Sequence, residues 1–319
     1  MDITAAHNAR LEAVDPLLAP APPLDANAPG YREAAVDDGS AAAVASFSSF
    51  AETSPDAVWG ALRRHVLDVR VAGDDPGPAL GAVVDDWLRE LARTERPGDA
   101  ESSAQVNVAS RDIALVNTLA RRGFAPIGIR ALRHRPRAVA PAPALPLALD
   151  GATMRLAVAA DAPRLGELDA RLLALDAHFA TVTMRPGAAE MFADAYRDRL
   201  RIAPDTTWVL EREDVTGARR ITGYIHVLPD AASPEPGTLA LAATGGQYLV
   251  VMYLEESERG TGTGAAFCDA AHRLLDAGGS PYTLLSYAVG NPRSGPFWSR
   301  MGYRPVVTEW QRRPAVLAL

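Results

Sequence analysis

Residues 248–254 form an unbroken apolar run, Tyr-Leu-Val-Val-Met-Tyr-Leu, and shortly after it the chain reads Arg259-Gly260-Thr261-Gly262-Thr263-Gly264 ahead of a helix-like stretch from Ala265 to Leu275. A strand that turns through glycines into a helix start leaves backbone N–H groups without intrahelical partners, at the positive end of the helix dipole. Such a junction is an anion cradle made of main chain. Its glycines lack the Cβ atoms that would hold an anion off, and they accept positive φ. Two common phosphate loops do not fit. A P-loop requires Lys and Ser/Thr after its last glycine, where Ala265 and Ala266 stand. The dinucleotide fingerprint requires Gly-x-Gly-x-x-Gly and an acid about 20 residues on, whereas the spacing here is Arg-x-x-Gly-x-Gly.

Downstream, a second apolar strand at 282–287 leads to Asn291. Then comes Ser294-Gly295-Pro296-Phe297-Trp298-Ser299-Arg300-Met301-Gly302-Tyr303. The glycine loop between strand and helix, followed by this strand, asparagine and aromatic helix, resembles the GNAT superfamily of acetyl-CoA-dependent N-acyltransferases. The resemblance implies a mixed α+β fold with a mostly antiparallel central sheet flanked by helices. It also implies acetyl-CoA as acyl-donating cosubstrate, without a metal.

The stretch 135–146, with four prolines at short spacing, cannot continue a helix or a central strand and reads as an extended linker. It divides the chain into 1–137, a Pro/Ala-rich linker at 138–150, and 151–319. In the last part, periodicity predicts the order βααβββαβαβ, which matches the GNAT order throughout. The first part repeats the later steps of that order: strands near 34–36, 41–50, 66–71 and 104–109, and helices at 80–92 and 113–122. The expected architecture is therefore two tandem GNAT-like domains. In the first, Asp74 stands where Arg259 stands later, and Pro76 and Pro78 remove N–H donors from the would-be cradle. Residues 1–137 are thus expected to be structural.

The net charge of −7 speaks against sequence-independent nucleic-acid binding, which needs a basic face. It mildly favours an amine substrate over an anionic one. A single cysteine, Cys268, rules out an intramolecular disulfide and reads as a small buried residue on the loop helix. All basic residues are arginine, which fits the codon usage of a GC-rich bacterial genome. Neither a secretory leader nor an apolar run long enough to span a bilayer is visible, so a soluble, cytoplasmic protein without membrane partners is expected. A homodimer is compatible with the sequence but not fixed by it.

The resemblance assigns roles residue by residue. Arg259, Gly260, Thr261, Gly262, Thr263 and Gly264 would bind the CoA pyrophosphate, chiefly through N–H groups. Met252 and Leu254 would pair with pantetheine as an added strand, with an N–H near Met252 polarising the thioester. Asn291 would hold the pantetheine arm, although an Asn before Pro292 also satisfies its own backbone. Phe297 and Trp298 would lie along the cofactor. Trp298 departs from the pattern: many members carry Tyr there as acid, and an indole N–H is no acid. Ser294, Tyr287 or water would then supply the proton. Tyr248 aligns where several members carry a glutamate base and is a poor substitute. His226, His178 or Glu190 are the remaining bases. Glu255, Glu256 and Glu258 read as exposed loop acids. Acceptor selection is expected from residues 178–186, Tyr224, His226 and the loop 233–246. The function implied is transfer of acetyl from acetyl-CoA to a primary amine of a small molecule in a ternary complex. A non-catalytic CoA-binding or scaffolding protein, and an acyltransferase using another acyl-CoA, remain open alternatives.

Overall fold

Small and β-branched residues alternating on either side of the turn Asp37-Asp38-Gly39 give the hairpin that starts the first half. Asp37 takes positive φ, and Gly39 packs where a Cβ would strike the Asp75 carbonyl at 2.3 Å. The computed structural model describes residues 2–179, 182–230 and 239–318. The first half runs α1 (Ile3–Val14), β1 (Tyr31–Val36), β2 (Gly39–Ser49), β3 (Arg63–Ala72), α2 (Gly77–Thr94), β4 (Ser102–Ala109), α3 (Val116–Ala120) and β5 (Ala125–His134). The second half runs β6 (Leu147–Leu149), β7 (Ala152–Leu156), α4 (Ala162–Asp176), α5 (Ala188–Ile202), β8 (Thr207–Glu213), β9 (Arg219–Pro229), β10 (Gln247–Leu254), α6 (Thr263–Ala277), β11 (Tyr282–Ala288), α7 (Ser294–Arg300) and β12 (Arg304–Arg312). From β7 onward this is the expected βααβββαβαβ order.

Both halves repeat one plan. Three antiparallel strands (β1–β3, β8–β10) lead through a helix (α2, α6) to a parallel strand (β4, β11), a short helix (α3, α7) and a last strand (β5, β12). The halves do not keep separate sheets. One mixed sheet of 12 strands runs β1-β2-β3-β4-β12-β5-β11-β10-β9-β8-β7-β6. The last strand of each half is thus inserted into the other: β12 lies against β4, and β5 lies against β11. The proline stretch ends in β6, an edge strand, with Leu145, Leu147 and Leu149 packed on the second half's core.

Each face of the sheet is covered by particular helices. On one, Leu80, Val84 and Trp87 of α2 and Leu119 of α3 pack on Val106, Val108 and Trp310. On the same face, Phe267, Cys268 and Ala271 of α6 and Trp298 of α7 pack on Leu249, Ile225 and Leu285. Cys268 is buried, as expected, and burial raises its thiol pKa. The opposite face carries α4 and α5, whose Leu165, Leu168 and Tyr196 cover Tyr224 and Val251. It also carries α1, whose Leu11 joins Leu132 and Leu284. Among the described residues no helix is long and apolar enough to cross a membrane.

Candidate active site

Strands β10 and β11 are parallel neighbours for only three residue pairs, Gln247 with Thr283, Tyr248 with Leu284 and Leu249 with Leu285. Beyond Leu249 the register of β10 against β9 shifts by one residue. Such a bulge bends a strand and strengthens its twist, and β10 leaves β11 at this point. The backbone of 251–254 keeps its ladder with β9 but has none on the β11 side. Glu255 N–H donates to the Thr222 carbonyl on the β9 side at 2.7 Å. Alternation along the strand therefore turns the N–H groups of Met252 and Leu254 toward the gap.

The glycine loop closes the wide end of this gap. Gly260 (φ 79) and Gly262 (φ 93) both lie in left-handed space, and a Cβ added at either would meet nothing within 4 Å. Gly262 is the N-cap of α6, and its carbonyl accepts from Ala265 N–H (3.0 Å) and Ala266 N–H (3.1 Å). The N–H groups of Gly260, Gly262 and Gly264 donate to no protein acceptor among the described residues. Thr263 N–H turns to the Thr261 hydroxyl at 3.3 Å, and the two threonine hydroxyls lie 2.8 Å apart. Gly264 is needed for packing: a Cβ there would come within 2.9 Å of Leu254, close to Phe297 and Met252. Leu254, Met252, Phe297 and Tyr287 share one cluster, so the gap has an apolar wall beneath a loop of donors.

Arg259 does not extend toward an anion. Its Nε–H donates to the Leu254 carbonyl at 3.0 Å, and its guanidinium lies over the Tyr253 ring. The neighbouring acids require a correction. Glu255 and Glu258 are buried, not exposed. Glu255 Oε1 accepts from Arg164 (2.5 Å), Arg171 (2.8 Å) and Arg220 (2.6 Å). Glu258 takes both Nε–H and an Nη2–H of Arg212 at 2.7 Å, and this pairing holds its carboxyl below the usual range. Each of the two buried carboxylates is paired with arginine, which offsets the repulsion those acids would otherwise present to a pyrophosphate.

Asn291 sits in the turn after β11, its Oδ1 accepting from Arg293 N–H at 3.1 Å and its side chain bonded to Asp176 at the end of α4. Burial pushes the Asp176 carboxyl up to about 6, partly offset by that hydrogen bond. Gly290 touches Phe179, so the α4 terminus packs onto this turn. Tyr287 reaches the start of α7, where a Cβ on Gly295 would lie 3.9 Å from its hydroxyl. Burial raises the Tyr287 pKa, which keeps the phenol protonated. Ser294 opens α7, its N–H on the Asn291 carbonyl at 3.3 Å.

Other sequence candidates lie elsewhere. His226 is fully buried on the opposite face, edge-on to Tyr196, with Nδ1 2.9 Å from the Thr207 hydroxyl. Burial lowers its pKa to about 4. Tyr224 is sealed on that face too and donates to Asp169. Tyr248 packs with Leu284 in the cluster under α1. His178 is exposed, donating Nδ1–H to the Ala174 carbonyl at 2.8 Å, and Glu190 is exposed in the first turn of α5. Trp298 is a core residue, edge-on to Phe297 and Tyr303. Of the expected acceptor segments, residues 180–181 and 233–238 lie outside the described residues. Asp176 is the group that sequence reasoning missed, because its place depends on a turn 115 positions away in the chain (291 minus 176).

Among solved structures, a GCN5-related N-acetyltransferase from Sphaerobacter thermophilus superposes with a TM-score of 0.53 at 15% identity, over 88% of this chain and 82% of that one. The chain has the GNAT fold. A tandem GNAT protein from the clavulanic acid biosynthesis pathway gives 0.43 at 15% identity, over 88% and 80% of the two chains. A GCN5-related N-acetyltransferase from Kribbella flavida gives 0.42 at 12% identity, over 89% and 90%. No family model and no curated protein matches the sequence. Within the GNAT fold of this chain, the first half's counterpart of the loop is closed. Asp75 Oδ1 accepts from Gly77 N–H at 3.3 Å, and Gly77 packs against Thr118 and the Ala114 carbonyl. The Asp75 carboxylate thus takes up one N–H donor at the start of α2.

Proposed function

We propose that this protein is an N-acyltransferase that moves an acetyl group from acetyl-CoA to a primary amine of a small molecule, with one working site, in the second half. The observation that carries this reading is the parting of β10 from β11 beneath a loop whose glycine N–H groups have no protein acceptor. The fit is physical: a pantetheine arm needs strand-like N–H groups and an apolar wall, and a pyrophosphate needs unpaired donors at a helix start. Gly260, Gly262 and Gly264 would hold the pyrophosphate, Met252 and Leu254 the arm. The thioester supplies the electrophilic carbonyl.

The remaining work falls to groups along the gap. Met252 N–H would donate to the carbonyl oxygen as charge develops on it. Asp176 would take the proton from the attacking ammonium, a task suited to a carboxyl with a pKa near 6. The N–C bond forms as the C–S bond breaks; the Tyr287 phenol would protonate the departing sulfur, and its phenolate would recover the second proton that the nitrogen sheds as the amide forms. His226 is not used, since it is sealed under α5. Calorimetric titration of acetyl-CoA, followed by thiolate release with an amine panel, tests the reading. One site per chain and amine-dependent thiolate support it. Absence of acetyl-CoA binding overturns it, while binding without release leaves a CoA-responsive protein.

A further inference from the structure

The middle of the sheet carries a depression where strands of the two halves meet. It is lined by Asn107 of β4, Glu309 of β12, Gly128 and Arg130 of β5, and Ser286 of β11. These four strands are adjacent in the sheet, and the strand exchange draws two from each half. Register places Asn107 beside Glu309, Glu309 beside Gly128, and Arg130 beside Ser286. The residues two positions along, Leu132 and Leu284, belong to the cluster under α1. The depression therefore opens on the face that carries α1, α4 and α5. A central strand normally buries apolar side chains on both faces, yet Ser286 is exposed here. Ser286 also directly follows Leu285, the last β11 residue paired with β10. One end of the depression thus begins where the two strands part. Gly128 leaves room above the floor, since a Cβ there would stand 3.1 Å from the Glu309 carboxylate.

We infer that this depression binds the acceptor, and that the acceptor is an amine that also carries a carboxylate. The inference rests on the transferase reading for the word acceptor, and on the depression itself for the ligand class. Arg130 offers a planar fork of N–H donors that suits the acceptor's carboxylate and leaves its reacting amine to reach toward the parting of β10 and β11. Glu309, one strand further from that gap, offers acceptor oxygens for any other N–H group of the acceptor. Both already hold partners within the protein. A guanidinium with five N–H groups, and a carboxylate with about four lone-pair sites, retain capacity for a ligand as well. Asn107 adds an amide beside them, with its Oδ1 accepting from Gln105 at 3.2 Å. The first half would then shape specificity rather than serve only as support.

The test uses the full chain saturated with CoA, which cannot react. Glycine, alanine and glycylglycine are titrated against methylamine, ethylamine and N-methylglycinamide, the matched amines that lack the carboxylate. The expected result is binding of at least one aminocarboxylate about tenfold tighter than its decarboxylated counterpart. Arg130→Gln should reduce that ratio to about twofold, with CoA affinity unchanged. Should Arg130→Gln fail to fold, Arg130→Lys keeps the charge but loses the fork, and is expected to lower the ratio by about threefold or more. Equal binding of the two classes, no binding by any panel member, or a preference that survives loss of the fork overturns the inference. Failure of CoA to bind would instead count against the transferase reading, and the amine titration without CoA still reads the depression.

Discussion

Arg259 donates its Nε–H to the carbonyl oxygen of Leu254 across 3.0 Å, tying the glycine loop back to the strand that leads into it. The pair fixes the angle at which the loop leaves β10, and with it the direction of the loop N–H groups. Arg259→Ala removes a charge-assisted bond of about 1.5–3 kcal/mol. Acetyl-CoA affinity should fall by roughly tenfold or more, and Arg259→Glu should lower it further by placing a carboxylate beside an anion. Calorimetry decides: an unchanged Kd in the alanine variant would show that the loop keeps its shape without the brace.

The closed counterpart in the first half predicts stoichiometry. Asp75 caps Gly77 there, whereas Gly260 and Gly262 face open space in the second half. Titration should give one acetyl-CoA per chain. Gly262→Ala puts a side chain on a residue at φ 93, at a cost of about 1–2 kcal/mol. It should abolish the site while leaving a folded protein. Two sites in the wild type, or one that survives Gly262→Ala, would contradict the assignment.

The loop was legible in the sequence because its chemistry is local. Glycines, a preceding apolar run and a following helix lie within about thirty residues, and backbone geometry follows from residue type. What was not legible depends on contacts between distant segments. Glu258 reads as an exposed acid until Arg212 of β8 is brought to it, and Asp176 reads as a helix terminus until Asn291 arrives. The same holds for the exchange of β5 and β12. Each reads correctly as a strand, but periodicity carries no information about which neighbour a strand pairs with.

The position of Asp176 sets an expected pH profile. With its carboxyl near 6, the base form grows as pH rises through that value. kcat/KM should therefore climb between about pH 5 and 7 and level off above. Asp176→Asn should lower the plateau by about 10²–10⁴-fold and remove the inflection. A variant that loses activity but keeps the inflection would show that Asp176 only positions Asn291, and that another group is the base.

A second prediction about pH concerns stability, and its sign depends on opposing buried groups. His226, His7 and His272 are pushed down to about 4, 4 and 3, each by burial first. Unfolding lets them bind protons near their ordinary value, so their contribution is present above pH 6.5 and lost as pH falls toward 4. Asp169 works the other way. Burial pushes it up to about 6, offset by the Tyr224 hydroxyl that donates to it. Its contribution is present at low pH and lost as pH rises through 6. Asp169→Asn keeps an acceptor for Tyr224 and deletes that opposing term. Between pH 7.5 and 5 the variant should lose more stability than the wild type, by on the order of 1 kcal/mol. Urea unfolding at the two pH values measures the difference. Equal losses would mean that Asp169 stays ionised in the fold, with Tyr224 donating to it strongly enough to outweigh its burial.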